Sequence, residues 1–178
     1  MNLIKWHISG TLKRQLFVLV IFSLLFILLI SVIYSDNTNF GGCFFEFYQK
    51  NLRGYLFSGF ISVGSFLLSL HTFVIINLKD KLFSTDNYKA KFAKANRIEP
   101  DKINEKDLFR PLDRLSCFLN LSIWLSIITA VSQFTLGLAN YTPLSIACIW
   151  LAVLTLTFML NSLILIRENI KIMLMQKQ

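Results

Sequence analysis

The sequence predicts an all-α integral membrane four-helix bundle, with both termini and a helical loop on the cytoplasmic side. Three observations carry that expectation. The chain has 178 residues, 54% of them hydrophobic, with a mean hydropathy of +0.58. Three stretches, Gln15 to Ser35, Gly54 to Leu78 and Leu115 to Ile166, contain no Asp, Glu, Lys or Arg. Their lengths are 21, 25 and 52 residues, and about 20 apolar residues in a helix cross a bilayer core of roughly 30 Å, so they predict one, one and two spans. Finally, 16 of the 18 basic residues fall on one side of such a four-span chain. The positive-inside rule places that side in the cytoplasm. This composition excludes a soluble enzyme, a disulfide scaffold and a disordered chain.

Residues 1–14 are read as a basic cytoplasmic N-terminus in which Trp6 sits at headgroup depth. The first span, 15–35, is too long for a secretion-signal core of about 7 to 15 residues and is expected to be retained. It carries only Ser23 and Ser31 among bulky side chains, which predicts a peripheral, lipid-facing helix. The outer loop, 36–53, has Gly41-Gly42 as a turn and then Phe44, Phe45, Phe47 and Tyr48. These aromatics suit an interfacial belt on the outer leaflet or a surface for another protein.

The second span is 54–78. The cytoplasmic loop, 79–114, holds 10 basic residues. In it Ser84-Thr85-Asp86 starts a helix over Asn87 to Arg97, with Tyr88, Phe92 and Ala95 on one side. Glu99-Pro100 ends that helix, and Asp101 to Phe109 predicts a second short helix before Pro111. The third span, 115–138, and the fourth, 143–166, are joined by an outer turn at 139–142, with Pro143 in the first turn of the fourth helix. Residues 167–178 form a cytoplasmic tail. The basic face is suited to an anionic inner leaflet, with each well-placed Lys or Arg worth on the order of 1 kcal/mol. No nucleic-acid-binding motif is present.

The spans carry rows of small and hydroxyl residues at helical spacing. They are Ser58, Ser62, Ser65, Ser69 and Thr72 in the second, Ser122, Ser126, Thr129, Gln133 and Gly137 in the third, and Ser145, Cys148, Ala152, Thr155 and Ser162 in the fourth. Each row shares a helix face and is expected to form a packing stripe, the alternative being a polar-lined path. His71, Asn120, Gln133 and Asn161 are polar intramembrane candidates, and three of them, His71, Asn120 and Asn161, lie at similar depth and are expected to meet in a hydrogen-bonded cluster, the alternative being a protonation-sensitive gate at His71. A lone His without paired Cys or carboxylate predicts no metal site. No catalytic motif, Gly-rich phosphate loop or cofactor-binding pattern occurs, so the expectation is a non-enzymatic protein without cofactors.

The basic start at Lys13-Arg14, the two separated early spans, the basic loop from Lys79 to Arg114 and the tight hairpin at Asn140 to Pro143 resemble small bacterial anti-phage membrane effectors, such as retron transmembrane effectors. The resemblance implies a cytoplasmic protein or ribonucleoprotein partner acting through 79–114 and damage to the inner membrane in abortive infection when the effector is released; self-association of the spans is expected alongside it. It implies no individual site residue. The rival expectation is an accessory or scaffold subunit of a larger membrane complex, or a small-solute channel.

Overall fold

The computed structural model describes residues 11–35, 40–97 and 103–175, and these are helical almost throughout. Helix α1 (Leu12–Ser35) is followed by α2 (Phe40–Phe47), a π turn (Tyr48–Leu52) and α3 (Arg53–Leu78). A second π turn (Lys79–Phe83) leads to α4 (Asp86–Asn96), then α5 (Glu105–Phe134), a 3-10 turn (Leu136–Leu138) and α6 (Thr142–Met175). Four stretches are long and apolar enough to cross a membrane: Leu12–Leu29, Phe44–Leu78, Asp107–Leu138 and Thr142–Lys171.

The principal contacts run from α3 to α5, from α5 to α6 and from α6 to α1, so α5 and α6 form a central pair flanked by the other two. Burial follows that order. About half of the central spans lies inside, 50% and 56%, against 17% for each flanking span. The all-helical architecture with four apolar spans agrees with the sequence, and the two flanking spans leave an open side each.

The inner face of α3 comprises Phe60, Gly64, Leu67, Val74 and Leu78, all buried, with half-buried His71 on the same face. Alternating steps of three and four residues keep them on one side of the helix. At Gly64 a Cβ would come within 3.3 Å of the Ser126 Cβ, so the glycine sets how closely α3 and α5 approach. Between α5 and α6, the Phe118 and Phe158 ring centroids lie 6.4 Å apart.

Helix α1 contributes Gln15, Leu19 and Ser23, all buried. Trp150 Nε1 of α6 donates to Ser23 Oγ at 3.2 Å, and Arg114 Nε of α5 donates to Gln15 Oε1 at 3.0 Å. The first helix is peripheral, as expected from the sequence, but it is also docked. Its outward side is exposed, but two uncharged polar residues at i and i+8 dock the other side.

Two local expectations also change. Gly41 and Gly42 lie inside α2 instead of forming a turn. The short helix expected before Pro111 is instead the start of α5, which runs through that proline. Pro111 is exposed near the helix start, where the carbonyl freed by its missing N–H can be hydrated. The start of α4 agrees with the sequence reading: the Thr85 carbonyl accepts from the Tyr88 and Lys89 amides, each at 3.1 Å. Arg97 closes the helix in the left-handed region at φ 56°. Glu99-Pro100, Trp6 and the side chain of Ala95 lie outside the described residues.

Candidate functional site: the polar seam of the spans

The polar residues of the spans divide into an inward set and an outward set. The inward set is a seam between α5 and α6. Ser122 and Ser162 hydroxyls are 3.0 Å apart, and those of Thr129 and Thr155 are 2.7 Å apart. Ser126 and Ser132 donate to carbonyls of their own helix, to Ser122 and Thr129, at 2.7 Å each. All six side chains are buried. Hydroxyls bonded both across and along the helices leave few polar atoms unsatisfied where water is scarce, each pair adding roughly 0.6 kcal/mol. Ser145 Oγ is buried without a partner among the described residues.

At the end of the molecule nearest the 3-10 turn the seam closes on Gln133, which is fully buried. Its Nε2 donates to the Cys148 carbonyl at 3.0 Å, and its Oε1 accepts from the Tyr48 hydroxyl. The neighbouring Gln49 Nε2 donates to the Gly137 carbonyl. A Cβ on Gly137 would collide with the Tyr48 hydroxyl and come within 3.5 Å of the Arg53 Cδ. Gly137 is therefore the residue whose missing side chain lets the tyrosine in. Cys148 Sγ contacts the Ser132 carbonyl at 3.5 Å, which joins this cluster to the rest of the seam.

The outward set lies on α3. Ser58, Ser62, Ser65, Ser69 and Thr72 are all exposed. Ser58 and Ser65 donate to carbonyls of their own helix at 3.0 Å, Thr72 at 3.3 Å and Ser69 at 3.5 Å. Hydroxyls satisfied in this way need no neighbouring helix. Of the stripe residues expected from the sequence, Ser122, Ser126 and Thr129 thus lie buried on α5 in the seam with α6, whereas Ser58, Ser62, Ser65 and Ser69 lie exposed on α3. The inner row of α3 begins two residues later, about 200° around the helix.

The three polar groups expected to meet do not do so. His71 Nε2 lies 3.0 Å from Ser116 Oγ of α5, Asn120 is exposed and Asn161 is buried on α6. Equal depth is not sufficient, because each residue also needs an azimuth that faces the others.

Tyr48, Ser23 and Trp150, together with the Gln15–Arg114 pair, are partners that sequence reasoning missed. A tryptophan well inside a span was the available signal, since its N–H seeks a partner when it lies away from the interface. Tyr48 had no such signal, because its inward position follows from the π turn that it opens. Among the described residues, no three His, Cys, Asp or Glu side chains gather into a possible metal site. Comparison with known protein families, curated proteins and solved structures gave no match.

Proposed function

We propose that the chain is a non-enzymatic, multi-pass membrane protein that perturbs or permeabilises the membrane on a cytoplasmic signal, in the manner of abortive-infection effectors. Both termini and the 79–114 loop are cytoplasmic in this reading, because that side carries 16 basic residues and the other 2. The observation that supports it best is the division of the polar residues. The inner seam is tied up in hydrogen bonds, whereas the hydroxyl row of α3 faces outward along the helix. A water-accessible path is therefore assigned to the space between copies and not to the interior of one chain. The uncovered flank of α3 is available for that assembly.

The test is induced expression in a bacterium lacking any native partner gene, followed with a potential-sensitive dye and colony counts. Depolarisation should track the amount of wild-type protein. A Ser62→Leu, Ser65→Leu double variant should reach the same abundance with at least a tenfold smaller dye response. Fully polarised, healthy cells containing abundant inserted wild-type protein would favour the accessory-subunit reading, in which the same row lies against a different protein.

A further inference from the structure

A cavity of about 380 Å³ lies where the second π turn, α4 and the start of α5 converge. That volume is at the small end of ligand pockets, roughly 300–1,000 Å³. Its polar lining is Lys79, Lys89, Ser84 and Glu105, and its apolar lining is Ile103, Leu108 and Phe109.

The walls are held by aromatic packing. Phe83 is buried, with its ring centroid 4.9 Å from that of Tyr88 in an edge contact and 6.4 Å from that of Phe109. One side chain thus pins the π turn to α4 and α5. The Ser84 amide donates to the Lys79 carbonyl at 2.9 Å, fixing the two ends of the turn against each other.

Two features identify what the cavity takes. The first is charge. Among the described residues, none of Lys79, Lys89 and Glu105 is in an ion pair. Glu105 also stands in the first turn of α5, where a carboxylate complements the helix dipole. Two ammonium groups and one carboxylate leave the lining with a single net positive charge. One phosphodiester charge balances it, while a phosphate dianion or a polyphosphate would meet Glu105 as well as the lysines.

The second feature is level. Lys79 immediately follows Leu78, the end of one candidate span, and Leu108 and Phe109 stand just inside another that begins at Asp107. The cavity is therefore at the boundary between the apolar spans and water. Its lysines are placed for a head group, and its apolar wall for the glycerol and first methylenes beneath it.

We propose that this cavity binds the phosphodiester head of a glycerophospholipid, with Lys79, Lys89 and Ser84 donating to the phosphate oxygens. Glu105 excludes more highly charged anions. The proposal rests on the cavity and its level, and is independent of whether the protein damages membranes.

The test is calorimetric titration of the purified full chain in an uncharged detergent. The probes are dihexanoylphosphatidylglycerol, its deacylated counterpart glycerophosphoglycerol, and inorganic phosphate at pH 8. Wild type should bind the acylated diester at least tenfold more tightly than either of the others. A Lys79→Ala, Lys89→Ala double variant should lose at least tenfold, and Lys94→Ala, outside the cavity, should be unchanged. Glu105→Gln should narrow the preference for diester over inorganic phosphate.

Should the double variant fail to fold, Lys89→Gln on the exposed side of α4 provides the same comparison with an expected loss of threefold or more. No binding by wild type, or full binding by both lysine variants, would overturn the site. Equal affinity for the deacylated diester would overturn the lipid and assign a soluble phosphodiester. Tighter binding of inorganic phosphate would overturn the charge argument.

Discussion

A methyl group on Gly137 has no space, because the Tyr48 hydroxyl already occupies it. Gly137→Ala should cost about 1–3 kcal/mol through overpacking. Tyr48→Phe should cost about 1–3 kcal/mol for a different reason, since Gln133 Oε1 loses its donor in a buried position. Together the two should cost less than their sum, as removing the hydroxyl makes room for the methyl. Thermal unfolding of the four proteins in detergent checks this, and strict additivity would place Tyr48 elsewhere. On α4, burial raises the Tyr88 pKa above its usual value of 10. The folded state then holds its proton longer than the unfolded one. Its contribution is fully present below pH 10 and is lost as pH rises through the higher folded value. Tyrosinate absorbance of Tyr88→Phe should lack a late-ionising phenol that the wild type shows. Gln133 was legible in the sequence as an amide inside an apolar run, whereas Tyr48 was not, since aromatic residues near a span end ordinarily signal the interface.

Periodicity identified a face on each helix but not which face turns inward. On α3 two rows compete: Ser58, Ser62, Ser65, Ser69 and Thr72, and the opposite row of Phe60, Gly64, Leu67, His71, Val74 and Leu78. Small residues favour close approach only where a neighbour exists. Here a single glycine, Gly64 against Ser126, is enough to set the crossing. Gly64→Leu should therefore force α3 from α5 and sharply reduce folded protein, while Ser65→Leu should leave its amount within about twofold. Ser23→Leu should also reduce it, by removing the acceptor of the Trp150 N–H and crowding α1 against α6. Fluorescence-detected size exclusion of tagged variants measures all three. Equal losses at Ser65 and Gly64 would restore the serine row as a packing face. The α5 and α6 rows were legible because both their own spacing and the short turn between them require those helices to face each other. The docking of α1 was not legible, since Gln15 and Ser23 are too sparse to mark a face.

At the scale of the whole molecule, charge and burial constrain different properties. The order α3, α5, α6, α1 leaves two open flanks but does not orient the chain across a bilayer. Orientation rests on the asymmetry of basic residues, which holds over short loops such as 36–53 and 79–114. With Cys117 and Cys148 replaced by alanine, a membrane-impermeant thiol reagent applied to intact cells should label Cys43. That side chain lies outside the described residues, but the outer loop of the proposed topology contains it. A cysteine at position 84 in a Cys43→Ser background should be labelled only after permeabilisation. The two sites flank α3, whose 26 residues extend about 39 Å at 1.5 Å each, enough to separate them by a bilayer core. Labelling at both sites in intact cells would mean that α3 does not span. Labelling at position 84 alone would invert the chain and move the Lys79 and Lys89 cavity to the outer leaflet, away from the anionic lipids that its charge is suited to meet.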